Sequence, residues 1–360
     1  MAGICGTDLS LLAQKQPVDS ILQAFSTMPT ILGHENVAVV EEVGPAVDDS
    51  WIGRRVCIEP TLCCAVRGID PPCPRCAAGE FGACERFAAP AGGGGALPAG
   101  TSIGYCSGAG GAFAESMIAH ASQLVAVPDS IPDEHAILID PVACSLHAAL
   151  RADLSNVQTV LIYGAGVLGL GLVASLRALG YAGRIDALDC AEYLADPVRR
   201  FGADEFFRLP AKPAERFADI AGRTGGSVQR ARFGNYMLSG GYDLVFDCVG
   251  SRRSIEESLK WTRSRGQVVM VATGSGRGVD LTPVWFTELT VLGAYGRQRE
   301  THAGRRIGTY QLVIELMKSG KLSVQPMLTH RFGLGEYRRA FEIGMNKVRH
   351  QAIKVAFDFR

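Results

Sequence analysis

Between Thr159 and Gly180 the chain reads TVLIYGAGVLGLGLVASLRALG. An apolar, partly β-branched run leads into three glycines, and a helical pattern closed by glycine follows. Few folds accept that order. Gly164 permits a tight turn at a strand end, Gly166 lets the backbone approach a pyrophosphate, and Gly169 lets the new helix pack on the strand. Val167 and Leu168 open the helix, whose N-terminal amides face the anion. In a chain with 43 glycines the G-x-G-x-x-G spacing alone means little. Its context is what counts: a strand before, a helix after, and the next strand, RIDALD, ending in Asp189. That carboxylate is suited to the ribose hydroxyls of a dinucleotide. It repels a 2′-phosphate, and Cys190 rather than arginine follows it, so NAD is expected rather than NADP.

Strands and helices continue to alternate. YDLVFDCVG and RGQVVMVATG read as further strands, which implies a doubly wound α/β domain with a parallel sheet. Residues 213–241 are longer than a plain crossover needs, and VQRARFGNYMLSGG reads as an inserted loop. Upstream, Ile31 to Ile58 consists of short β-branched runs broken by glycine and proline, the pattern of a β-rich module. Residues 60–112 read as irregular, with AAPAGGGGALPAG (Ala88 to Gly100) a surface loop. PDEHAILIDPVACSLHAALRA has helical spacing interrupted by Pro141. The closing segment ends in a strand. The expected organisation is a β-rich domain over 1–152, a nucleotide domain over 153–295, and a return of 296–360 to the first.

Thirty-six basic residues balance thirty-six acidic ones without a long block of either sign. That excludes the footprint of a nucleic-acid binder and gives no basic run for a membrane surface. No stretch approaches the ~18 apolar residues of a membrane span, and MAGICGTDLS lacks the pattern of a secretory signal. A cytoplasmic protein acting on small molecules is expected. Eleven cysteines in such a chain argue against a disulfide framework. They are core thiols or metal ligands, and Cys57, Cys106, Cys190 and Cys248, each isolated, read as core thiols. Cys5, His34, Glu35 and Asp140 supply the thiolate, imidazole and carboxylate types that zinc takes when one position stays open for substrate.

GICGTDL, LGHENVAVVEEVG, a cysteine-rich lobe, LIDPVACSLHA, GAGVLGLG and FDCVG follow one another in the order of the zinc-dependent medium-chain alcohol dehydrogenases. The chain most resembles their polyol, threonine and glucose dehydrogenase branch, over essentially its whole length. The resemblance implies a β-rich, chaperonin-10-like catalytic domain built from both chain ends, a Rossmann NAD domain between them, and an active site in the cleft. It implies hydride transfer between NAD(H) and a secondary or polyol/sugar-type alcohol, in a dimer or tetramer. Cys5, His34 and either Glu35 or Asp140 would hold the catalytic zinc. The branch normally carries glutamate where Asp140 stands, so this shorter side chain would reach the metal through water. Thr7 matches the hydroxyl that relays the substrate proton. Asp8 would accept a hydrogen bond from His34 and fix its tautomer. A degenerate, non-catalytic NAD- or zinc-binding paralogue and a zinc-free reductase of the same superfamily are the rival readings.

Two departures stand out. Many relatives place a histidine five residues after the ligand cysteine, where this chain has Ser10; His147 is a possible substitute or a helix-packing residue. The family also places β structure before the cysteine motif, and none precedes Cys5 here. That predicts an unpaired sheet edge and a poorly tethered ligand, with either the true start upstream of Met1 or a weaker protein. In TLCCAVRGIDPPCPRCAAGEFGAC, Cys73, Cys76 and Cys84 match the spacing of the family's structural zinc lobe. Cys64 is the favoured fourth ligand over Cys63 and Asp70. Arg297, Arg299 and His302 meet either a polar substrate or solvent, with solvent favoured.

Overall fold

The structure is a computed structural model that describes residues 1–13, 20–88, 97–272, 274 and 278–360. It divides into two compact units, 1–143 with 296–360, and 144–295.

The second unit is built on a six-stranded parallel sheet. In spatial order its strands are Thr290–Gly293, Thr262–Met270, Tyr242–Asp247, Thr159–Tyr163, Arg184–Asp189 and Glu205–Arg208. The chain enters in the middle, at Thr159–Tyr163, and winds outward both ways, the doubly wound order expected. Val160, Leu161, Ile162, Leu244, Val245 and Phe246 are almost wholly buried. Central parallel strands need apolar residues on both faces, which is why they read as continuous runs rather than alternations. The edge strand Glu205–Arg208 is four residues long and two of them are charged, so it carried no strand signal. Where a loop was expected over 228–241 the chain forms an antiparallel hairpin, Ser227–Arg230 against Tyr236–Ser239, with Phe233 and Gly234 at positive φ in its turn. It follows the helix Pro213–Thr224, which closes on Gly225 in the left-handed region.

The first unit holds a four-stranded sheet in the order Leu328–Phe332, Lys354–Phe357, Ala2–Ile4, Glu35–Asn36. A three-stranded sheet joins Ala38–Val39, Arg55–Ile58 and Leu124–Ala126. The expectation of a poorly tethered N-terminus is corrected here. Ala2–Ile4 pairs antiparallel with Lys354–Phe357 on one side and with Glu35–Asn36 on the other. The amino group of Met1 donates to the Val37 carbonyl at 2.9 Å. Ile4 and Leu9 enter a core with Phe332, Ile343, Val355 and Phe357.

Pro141 does not interrupt its helix, Ile139–Arg151. It stands in the first turn, where a missing amide costs no intrahelical bond, and the break falls earlier, after the short helix Asp133–Ala136. Most of the expected loop at 88–100 lies outside the described residues. Among the described residues no helix is long and apolar enough to cross a membrane.

Candidate functional site

Cys5 follows the first strand, Ala2–Ile4, and caps the helix Gly6–Leu12. Its amide donates to Asp8 Oδ2 at 2.9 Å, so the carboxylate satisfies a helix-start amide that would otherwise be orphaned. The other Asp8 oxygen accepts the Gly33 amide at 3.3 Å. Asp8, with no exposed surface, thereby ties the cysteine turn to the segment that carries His34 and Glu35. Gly33 turns there at φ +93°, and a Cβ at that position would press into the Phe113 ring.

The result is a convergence. A ligand atom from each of Cys5, His34 and Glu35 lies within 4.8 Å of the others. Soft thiolate, imidazole and carboxylate are a donor set that zinc accepts, and three protein ligands leave a fourth position open. His34 Nδ1 stands 3.6 Å from Asp8 Oδ1 and 3.2 Å from the Tyr105 hydroxyl. Burial works to lower the His34 pKa, but the Asp8 and Cys5 charges outweigh it and hold the imidazole well above its ordinary value. Glu35 forms a buried ion pair with Lys354. Gly3, directly across the strand pair, has no side chain, and a Cβ there would overlap the Glu35 carboxylate. Thr7 is exposed, with its hydroxyl 3.6 Å from Cys5 Sγ.

Asp140 falls outside this group. Its Oδ1 accepts from Arg297 Nε at 2.6 Å and from the Tyr310 hydroxyl at 2.7 Å. Burial alone would raise its pKa; Arg297, with help from His34 and Tyr310, holds it below the usual carboxylate range. Of the two carboxylates left open by the sequence, Glu35 is the one brought to Cys5 and His34. Arg297 is also buried rather than solvated, because its guanidinium balances Asp140. Arg299 is exposed and His302 half-buried. His147 is buried on the helix Ile139–Arg151, in the second unit, outside the ligand group.

A second group gathers Cys64, Cys73, Cys76 and Cys84, again with all ligand atoms within 4.8 Å. Cys64 Sγ lies 3.7 Å from Cys84 Sγ, and Cys73 Sγ lies 4.0 Å from it. Thiolates spread tetrahedrally at about 2.3 Å from zinc stand about 3.8 Å apart, so the donor set fits the ion. Three backbone amides point at these sulfurs: Cys73 N–H at Cys64, Cys76 N–H at Cys73 and Arg86 N–H at Cys84. Such donors favour the thiolate form a metal needs. Cys63 and Asp70 are not part of the group.

At the nucleotide motif the three glycines do three different jobs. Gly164 turns at φ +98°, and a Cβ there would lie 2.6 Å from Val249 Cγ2. A Cβ on Gly169 would overlap the Gly164 carbonyl oxygen. One on Gly166 would meet nothing within 4 Å, which leaves the backbone open to an approaching ligand. Gly166 caps the helix Val167–Ala178, whose first turn holds Val167 and Leu168. Asp189 ends the neighbouring strand; it accepts the Ala165 amide at 2.8 Å and the Ala191 amide at 3.0 Å. Cys190, expected in the core, is exposed beside it.

Sequence reasoning missed Tyr105 and Lys354. Neither is a metal-ligand type, and neither sits in a motif. They come from segments 71 and 319 residues away in sequence from the His34 and Glu35 they touch.

Two family profiles match the chain: the alcohol dehydrogenase GroES-like domain over residues 1–129, and the zinc-binding dehydrogenase over 167–318. Sorbitol dehydrogenase of Arabidopsis thaliana is 28% identical over 362 aligned positions, covering 99% of this chain and 86% of the relative. L-idonate 5-dehydrogenase of Vitis vinifera is 27% identical, with 99% and 85% covered. Among solved structures, zinc-dependent alcohol dehydrogenase 2 from Streptococcus pneumonia superposes with a TM-score of 0.75 at 22% identity, covering all of this chain and 90% of the other. At that identity the structural likeness speaks for the fold.

Proposed function

The chain belongs to the zinc-dependent medium-chain alcohol dehydrogenase family, and from that premise we propose how its residues divide the work. The protein is a zinc- and NAD-dependent oxidoreductase that interconverts an alcohol and its carbonyl. Residues 1–143 with 296–360 bind metal and substrate, and 144–295, beginning nine residues before the expected boundary, bind the nucleotide. Cys5, His34 and Glu35 hold the catalytic zinc, and Cys64, Cys73, Cys76 and Cys84 the structural one. The observation that carries this reading is the convergence of thiol, imidazole and carboxylate at Cys5, His34 and Glu35.

A zinc ion held by Cys5, His34 and Glu35 would supply Lewis acidity toward an alcohol oxygen, and NAD held at Gly166 and Asp189 would supply a hydride acceptor. The side chains set the conditions. Thr7, exposed beside Cys5, takes the substrate's hydroxyl proton and passes it outward, the role of the missing histidine at Ser10. Asp8 locks the Cys5 turn to the His34 turn, so the ligands stay in place as charge develops. Gly166 and the helix behind it, through Val167 and Leu168, receive the pyrophosphate. Asp189 receives the ribose and rejects a 2′-phosphate. Asp140 keeps Arg297 neutralised close to the site rather than ligating metal.

Two relatives carry the names sorbitol and L-idonate 5-dehydrogenase, and a substrate with adjacent hydroxyls, a polyol or sugar acid, follows for this chain. A homo-oligomer is supported by the apolar surface beside the sheet edge Thr290–Gly293, where Leu281, Trp285 and Phe286 are exposed. The location we assign is the cytoplasm. Retention of Cys5, Thr7, Asp8, His34 and Glu35 together argues against a non-catalytic paralogue.

The test is an absorbance assay for NADH formation by zinc-loaded protein over a panel of polyols, sugar acids and 3-hydroxy amino acids. Turnover with at least one polyol or sugar acid, lost on chelation, is expected. Protein that holds two zinc ions per chain yet turns over none of the panel would sink the reading.

A further inference from the structure

We infer that Tyr105 is the residue that orients His34, by accepting the imidazole Nδ1 hydrogen and leaving Nε2 free as the ligand atom. This rests on the zinc site proposed at Cys5, His34 and Glu35.

The motif pattern gives that acceptor role to Asp8, whose two oxygens each accept a backbone amide, and distance separates it from the other acceptor. Oδ2 accepts the Cys5 amide at 2.9 Å and Oδ1 the Gly33 amide at 3.3 Å. From Oδ1 to His34 Nδ1 the distance is 3.6 Å, an ion-pair separation rather than a hydrogen bond. The Tyr105 oxygen, at 3.2 Å, is within hydrogen-bond reach of the same nitrogen. A phenol oxygen has lone pairs to receive an N–H. A ligating histidine needs its second nitrogen held in this way, because that bond sets both the tautomer and the ring plane.

The backbone puts the two rings side by side. Gly104, at φ +80°, packs so closely on Gly33 that a Cβ would lie 3.0 Å from the Gly33 carbonyl oxygen. The Gly104 amide donates to Gly110 at 2.7 Å and the Ala112 amide to Gly33 at 2.9 Å, closing a small loop over the His34 segment. The Tyr105 carbonyl accepts the Thr27 amide at 2.9 Å, which anchors the far side. The residues that follow the paired glycines, His34 and Tyr105, therefore face each other, with ring centroids 5.4 Å apart and planes tilted by 44°. Asp8 supplies the charge and the turn, while Tyr105 supplies the directed bond. Tyr105 is thus a positioning residue.

Tyr105→Phe removes one oxygen and keeps the ring in contact. Wild type and variant are titrated with zinc in competition with a chelator, and cobalt spectra are recorded for both. The expected result is two ions per chain in each, with affinity at one site weakened about tenfold or more in the variant, the usual cost of losing such a partner. That site's cobalt spectrum shifts, the four-thiolate site is unchanged, and Tyr105→Gln, which restores an acceptor oxygen, recovers part of the loss. A Phe variant that binds both ions within about twofold of wild type, with an unshifted cobalt spectrum, overturns the inference and leaves the zinc site standing. Wild type whose cobalt form shows only the four-thiolate site overturns the zinc site at Cys5, His34 and Glu35 and the inference together.

Discussion

Lys354, the first residue of the last strand of the chain, is ion-paired with Glu35, and each is at most 2% exposed. A lysine this deep is held only by its partner. Glu35 is one of the three residues gathered at the metal group, so Lys354 offsets one of the negative charges collected there. Lys354→Met leaves a buried carboxylate without its counter-ion and is expected to cost about 3–5 kcal/mol of stability. Urea unfolding of the metal-free protein measures this. Added zinc should return part of the loss, since the ion supplies positive charge to the same carboxylate.

At the nucleotide motif, Gly166 and Gly169 should respond in opposite ways to the same change. Gly166→Ala places its methyl group in open space, so thermal stability stays near wild type while NAD binding weakens about tenfold or more. Gly169→Ala drives its methyl group into the Gly164 carbonyl, so the domain itself loses roughly 1–3 kcal/mol. Thermal melts with and without NAD separate the two. Equal loss of stability in both variants would contradict the division of labour among the glycines.

The four-thiol group should behave as a structural clamp. Cys73→Ser is expected to lower zinc content from two ions to one per chain and to expose 64–87 to protease, since that stretch has only short helical pieces of its own. Metal analysis and limited proteolysis read these directly. Cys63→Ser, outside the group, should leave both unchanged.

Asp140 and Arg297 make a pH-dependent contribution whose sign is fixed by the direction of the shift. The Asp140 pKa is lower in the folded chain than the ordinary 3.8. The pair therefore stabilises the fold at pH values above about 4 and loses its contribution as pH falls through the folded pKa. Asp140→Asn, which removes one carboxylate partner of the buried guanidinium, is expected to cost up to about 3–5 kcal/mol at neutral pH. Unfolding free energies of wild type and variant should converge as the pH drops below about 4. A gap that stays constant to pH 3 would contradict the ion-pair account.

The doubly wound domain was legible because its requirements are local. A tight turn, a close approach and a helix-to-strand contact all fall within the six residues Gly164 to Gly169, and each demands glycine for its own reason. The Cys5, Thr7, Asp8 motif and the Cys73, Cys76, Cys84 spacing were legible for the same reason. Where neighbouring residues offered the same chemistry, sequence could narrow but not decide. Cys63 and Cys64 differ by one position, and the fold turns only Cys64 toward the other sulfurs. Glu35 and Asp140 are both acids, and Asp140 is removed from the ligand group by Arg297 and Tyr310, which come from the far end of the chain. The first strand, three residues long, has no period to read. It exists because segments near residues 35 and 355 offer it backbone partners on both sides. Sequence alone determined which residue types were present for zinc and NAD and the order in which they occur. Only the tertiary structure decided which of them meet, because contacts such as Tyr105 with His34 and Lys354 with Glu35 join segments that no local pattern connects.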